Sequence, residues 1–173
     1  MDPKDALEVL NNFLKDRNIF RELYICGGSA QILSGMSSRN ATRDVDVLSP
    51  MIDSELKESA VLAAEKIGVD SDWINNGPSS LADDLEPGWE SRAIEVFCGS
   101  NLIVYSISRL DILFAKIWAY ADRNEQRDLE DILSLNPTEE EIYRTLERII
   151  PLDGNPGWPE HLDNIYKELI DAL

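Results

Sequence analysis

Two aspartates stand two residues apart in Arg43-Asp44-Val45-Asp46-Val47-Leu48. The strict alternation of acidic and β-branched residues is the period of a strand, so both carboxylates face the same way. Two anions that close repel, and one of them takes up a proton unless a cation lies between them. A hard divalent ion such as Mg²⁺ suits the pair, because it binds carboxylate oxygens and keeps room for waters and phosphates. In a chain with 33 Asp and Glu residues, two solvated acids on a half-buried strand would read the same.

A second motif precedes the pair. Leu23-Tyr24-Ile25-Cys26 is a short apolar run, and Gly27-Gly28-Ser29 ends it where a helix can begin. Glycines permit close backbone approach, and free N–H groups at a helix start favour an anion such as a phosphate. The alternative is a tight strand-to-helix turn with Ser29 as its cap. A third feature lies downstream, where Lys116 sits between Phe114 and Ile117 in an apolar segment. A lysine there is costly to bury unless an anion meets it, either a phosphate or a carboxylate such as Asp128 or Asp131. Arg123 and Arg127 either neutralise phosphates or are ordinary surface charges.

Positioning these residues requires the following elements. Leu7, Leu10 and Phe13-Leu14 recur at helical spacing and predict a helix over 3–17. The apolar run at 23–26 predicts a buried strand, 30–33 a short helix, 34–42 a loop and 43–48 a strand. Asp53 or Ser54 caps a helix that Gly68 ends. Residues 70–91 read as a long loop, with one short strand near Trp73-Ile74 and a length that invites a substrate-covering role. Residues 92–97 and 102–107 form a hairpin around Cys98-Gly99-Ser100-Asn101. Helices follow: one from Ser108, one around Leu129, one capped by the Thr138/Glu141 box, and one after Pro159. Strands in the first half and helices in the second give the α+β class with a helical C-terminal half. The length fits one domain over 1–173, with a sheet-containing part at 1–107 and a helical part at 108–173.

Composition sets limits. Acidic residues outnumber Lys and Arg by 33 to 16, a net charge of −17. That field repels long polyanions and opposes general duplex binding, while a metal-neutralised nucleotide remains compatible. No apolar stretch approaches the roughly 18 residues of a membrane span, and no signal peptide is visible, so the expected location is the cytoplasm. Cys26 and Cys98 lack metal spacing and read as reduced thiols. His161 is the sole histidine and is expected to be structural or surface, which argues against a Ser-His triad, and the two isolated cysteines argue against a zinc site. Trp89 and Trp158 read as core or loop anchors.

Cys26-Gly27-Gly28-Ser29-Ala30, followed by Thr42-Arg43-Asp44-Val45-Asp46-Val47, resembles the signature of the nucleotidyltransferase superfamily with a polymerase-β-type palm. The downstream segments Leu110–Ala119, Asp122-Arg123 and Arg127-Asp128-Leu129-Glu130-Asp131 are similar to a motif of its small bacterial abortive-infection and toxin–antitoxin branch. The tail Asn155-Pro156-Gly157-Trp158-Pro159-Glu160 resembles a subgroup of uncharacterised bacterial members. The resemblance implies a small mixed sheet. It implies that Gly27, Gly28 and Ser29 hold a nucleoside triphosphate, that Asp44 and Asp46 hold Mg²⁺, that Lys116 contacts phosphate, and that Asp128 is a polar or catalytic partner. Transfer of the polymerase type usually needs a third carboxylate on a neighbouring strand. Glu95 is the one acid within the predicted hairpin strands and is the candidate for that role; a half-exposed strand glutamate is the other reading. The implied activity is Mg²⁺-dependent transfer of a nucleoside monophosphate to an RNA, a protein or a small molecule, and the acidic surface favours the last two. The rival is a catalytically reduced member acting as a binding module or toxin–antitoxin component with a protein partner.

Overall fold

Asp2 starts the first helix: its side chain accepts the Lys4 backbone N–H at 2.8 Å, and Pro3 occupies the first turn without losing a hydrogen bond. This helix, α1 (Pro3–Asp16), buries Ala6, Leu7, Leu10 and Leu14 on one stripe. The computed structural model describes residues 1–173, which divide into two compact units, Met1–Ser108 and Arg109–Leu173.

The first unit continues with β1 (Arg21–Cys26), α2 (Gly27–Leu33), β2 (Val45–Ser49), α3 (Ser54–Ile67) and β3 (Ile74–Asn75). Two single-turn helices, α4 (Leu81–Asp84) and α5 (Trp89–Arg92), lead to the hairpin β4 (Ile94–Cys98) and β5 (Leu102–Ser106). The five strands make one mixed sheet in the order β3-β2-β1-β5-β4. β1 runs antiparallel to β2 and parallel to β5, while β3 runs parallel to β2 and β4 antiparallel to β5. The fold is α+β.

One face of the sheet is closed. Leu23, Ile25, Val45, Val47, Ile74, Leu102 and Val104 are all fully buried on it. Each such side chain contributes about 1.5–3 kcal/mol relative to exposure. The residues between them point the other way, as strand alternation requires. Tyr24 and Tyr105 meet there as paired residues of β1 and β5, stacked at 5.2 Å. Trp89 packs edge-on against Tyr24 at 5.4 Å and is itself buried, so it anchors the loop.

Asp53 caps α3 by accepting the Leu56 N–H, and Gly68 ends the helix in the left-handed conformation. α3 also packs on α1. The buried Trp73 donates its indole N–H to the Ala60 carbonyl at 2.9 Å, which fixes the start of β3 against α3. The stretch expected to be a long loop with one short strand near Trp73-Ile74 holds that strand at Ile74–Asn75 and, in addition, two helical turns.

The second unit is helical: α6 (Arg109–Arg123), α7 (Gln126–Ser134), α8 (Glu139–Ile149) and α9 (Trp158–Ala172). Thr138 and Glu141 form the expected capping box. Glu141 also takes both terminal nitrogens of Arg109, at 2.8 and 2.9 Å. The Arg109 guanidinium, with help from the Thr138 backbone, holds the Glu141 carboxyl at a pKa of about 2. His161 meets the Ala121 carbonyl at 2.7 Å, and Trp158 is buried, which suits the structural roles expected of both. Cys26 is a buried free thiol and Cys98 an exposed one. No helix is long and apolar enough to cross a membrane.

Candidate functional site

The two sequence motifs of the first unit meet through the pairing of β1 with β2. Cys26 stands opposite Asp46 in the antiparallel register, so the residue after Cys26 lies beside the Asp46 side chain. That residue is Gly27, with φ at +69°, a conformation that costs glycine little and other residues much more. A Cβ at this position would lie 3.3 Å from Asp46 Cγ and collide with Asp46 Oδ2. Gly27 therefore serves two purposes at once. It turns the chain from strand to helix, and it lets backbone approach a carboxylate as no other residue could.

The helix begins earlier than the sequence suggested. Cys26 takes the N-cap position, Gly27 is the first helical residue, and Ser29 lies inside the first turn. Ser29 is fully buried, and its hydroxyl donates back to the Cys26 carbonyl at 3.4 Å. Ser29 is thus not the cap. The physical reason is that the positive φ of Gly27 already turns the chain, so the helix starts without a side-chain cap.

Asp46 lies in β2, and Asp44 immediately precedes the strand. Both are half-buried. On the far side of Asp46, Asn75 of β3 is its parallel partner in register. The site therefore spans three adjacent strands, with Asp46 in the middle, the Gly27 turn on one side and Asn75 on the other.

Glu95 does not join this group. It is exposed on β4, at the opposite edge of the sheet, paired with Tyr105. From β2 to β4 is three inter-strand steps, roughly 14 Å at the ordinary spacing. Glu95 instead lies beside the Tyr24–Tyr105 pair. Burial raises the pKa of the Tyr105 hydroxyl, and the negative charges of Glu22 and Glu95 push the same way. No group of three His, Cys, Asp or Glu side chains in the chain is arranged to hold a metal ion. Two carboxylates, as the Asp44/Asp46 motif offers, are a donor set compatible with Mg²⁺, which commonly binds one or two carboxylates and fills its shell with waters and substrate phosphates.

Lys116 and Asp128 lie in the second unit and belong to a cluster of their own. Lys116 Nζ is 2.7 Å from Asp131 Oδ2 and 3.5 Å from Asp128 Oδ1. Arg123 reaches Asp128 from the other side at 2.7 Å, and this pairing raises the Arg123 pKa further. The two aspartate side chains are only 2–3% exposed, and that of Lys116 12%. Of the two partners weighed for Lys116, the structure shows the carboxylates.

Sequence reasoning missed Asn75. It belongs to a strand of two residues, too short for an alternation pattern to reveal, and only the pairing with β2 brings it to the site. The Asn-Gly-Pro turn behind it was the available signal.

Residues 4–150 match the model of a family described as "Nucleotidyltransferase of unknown function (DUF6036)". No curated protein and no solved structure matches the chain.

Proposed function

The chain belongs to that nucleotidyltransferase family, and from this premise we propose that it moves a nucleoside monophosphate from a nucleoside triphosphate to an acceptor with the help of Mg²⁺. The observation that carries the reading is the contact of its two motifs, where Gly27 lies against the Asp46 carboxylate. A phosphate brought to the Gly27-Gly28 backbone is thereby brought to the metal-binding acid. Asp44 and Asp46 would hold the ion. When bound, Mg²⁺ offsets the charge of the phosphates and polarises the phosphoryl group under attack. The protein's own share is to orient: Gly27 fixes the turn, and the closed face of the sheet fixes the strand that carries Asp46. For Lys116 and Asp128 the proposal, Lys116 as a phosphate contact and Asp128 as a polar or catalytic partner, rests on the resemblance of the sequence motif alone.

The acceptor is an RNA, a protein side chain or a small molecule, and the net charge of −17 weighs against the polyanion. A second reading, a binding module or toxin–antitoxin component without turnover, is favoured by the missing third carboxylate. Calorimetric titration of ATP, GTP, CTP and UTP with Mg²⁺, using the wild type and the Asp44→Asn/Asp46→Asn variant, separates these readings from none at all. Binding by the wild type that the double variant loses supports the site. No binding of any nucleotide by the wild type would sink it. Release of pyrophosphate from the bound nucleotide then distinguishes the transferase from the binding module.

A further inference from the structure

Asn75 occupies the strand position next to Asp46 on β3. Its amide is already oriented. The backbone N–H of Gly77 donates to Asn75 Oδ1 at 2.7 Å. A Cβ at residue 77 would come within 2.8 Å of the same oxygen and push the amide aside. The turn is pinned in its turn by Asn76, which donates to the Val47 carbonyl at 2.9 Å and accepts the Ile52 N–H at 2.7 Å. With Oδ1 engaged, planarity of the amide sends the Nδ2 hydrogens the other way. No protein acceptor takes them. Asn75 is half-buried and, as the in-register parallel partner of Asp46, lies on the same face of the sheet.

We infer that Asn75 is a phosphate-binding residue, whose Nδ2 donates to the nucleotide phosphate that a metal ion on Asp44 and Asp46 also holds. This rests on the nucleotide reading above and gives it a finer chemistry. An NH₂ group cannot ligate a cation, but it donates to an anion at no cost in charge. Neighbouring strands lie about 4.8 Å apart, a gap that a single phosphoryl group can bridge between a donor and a metal ion. The site then has a cation half, the two aspartates, and an anion half, Asn75, on adjoining strands. Two carboxylates suffice on this arrangement, because the amide takes over part of the hold on the phosphate that a second ion would otherwise supply.

Asn75→Asp is the informative change. It keeps the side-chain oxygen that accepts the Gly77 N–H and nearly the same volume, and it replaces the donor by a negative oxygen. Asn75→Ala removes both functions, and circular dichroism with thermal unfolding reports whether it still folds. Mn²⁺ binding alone, followed by paramagnetic resonance, and nucleotide binding at saturating Mn²⁺, followed by calorimetry, are measured separately. The expected result for Asn75→Asp is Mn²⁺ bound severalfold tighter, through a third carboxylate, and nucleotide bound about tenfold or more weaker. A nucleotide affinity equal to or above that of the wild type in Asn75→Asp overturns the inference and assigns Asn75 to the turn alone. If wild-type nucleotide binding is intact and lost in Asp44→Asn/Asp46→Asn, that failure concerns Asn75 and not the site. If the wild type binds no nucleotide, both readings fall together.

Discussion

The chain keeps two groups of aspartates in opposite ways. In the second unit, Asp128 and Asp131 are almost wholly buried, and Lys116 and Arg123 supply their counter-charge from within the same unit. In the first, Asp44 and Asp46 are half-buried at the start of a strand, with a glycine turn on one flank and an amide on the other. The helical cluster is closed: its charges are compensated, and dismantling it exposes the fold to an unpaired buried ion. The strand site is open in a plainer sense: both of its aspartates are half-buried, so solvent and its ions reach them. The contrast teaches that acidic residues in this chain divide by their exposure, and stability and ligand binding should divide along the same line.

The largest effect should come from breaking the closed cluster. Lys116→Ala removes the ammonium that pairs with the buried Asp131 and Asp128, and removal of one partner of a buried pair costs about 3–5 kcal/mol. Urea unfolding should show that loss. Removing the opposing charge as well, in Lys116→Met/Asp131→Leu, should return much of it. A loss below about 1 kcal/mol in Lys116→Ala would mean that water already reaches the cluster, and the comparison would collapse.

Gly27→Ala comes next and strikes the open site. The new Cβ must adopt a positive φ and displace the Asp46 carboxylate. Such backbone strain costs about 1–3 kcal/mol. The variant should also lose Mn²⁺ binding, because the acid it displaces is the proposed ligand. Gly68→Ala is the useful contrast: it carries the same positive φ with nothing within 4 Å of the added atom. It should be strained but retain the metal, and equal metal loss in both variants would break the assignment.

The pairing of Arg109 with Glu141 gives a smaller, pH-dependent term. Folding lowers the Glu141 pKa from an ordinary 4.5 to about 2. A group depressed in the folded state stabilises above its unfolded pKa and loses that contribution as pH falls through the folded value. The pair should therefore contribute fully above about pH 4.5 and lose most of its effect by about pH 2, with screening at its partly exposed position reducing it to about 1–2 kcal/mol. Chemical unfolding of wild type and Glu141→Gln across that range tests it: the two curves should converge at the acid end. Curves that stay parallel would show that the capping geometry, and not the charge, stabilises α8.

The elements were legible where a local signal was strong. The Thr138/Glu141 box, the Asp53 cap and the Gly68 stop each lie within one turn of the boundary they set, and periodicity placed the buried stripes. The relation of Gly27 to Asp46 was legible as an order of motifs, while the contact itself depends on antiparallel pairing between residues some twenty apart. Glu95 shows the limit. Alternation along one strand told which residues share its side, but strand order decides lateral distance, and nothing local to 92–97 reveals that β1 and β5 lie between β4 and β2. Asn75 was hidden for the same reason, since its strand has two residues and acquires meaning only from its neighbour.

The smallest stability effect should belong to the residues with the greatest functional one. Asp44→Asn and Asp46→Asn remove negative charges from a chain already carrying −17. Their loss relieves repulsion, and at half-exposed positions the change in folding free energy should stay within about 0.5 kcal/mol, of either sign. The same substitutions should abolish binding of Mn²⁺. Thermal unfolding with and without the ion measures both: the metal should raise the midpoint of the wild type, as a ligand of the folded state must, and leave that of the double variant unmoved. If the double variant instead unfolds several kcal/mol more easily without metal, the strand aspartates are structural acids of the same kind as Asp128 and Asp131, and the division between an open and a closed group of carboxylates does not hold.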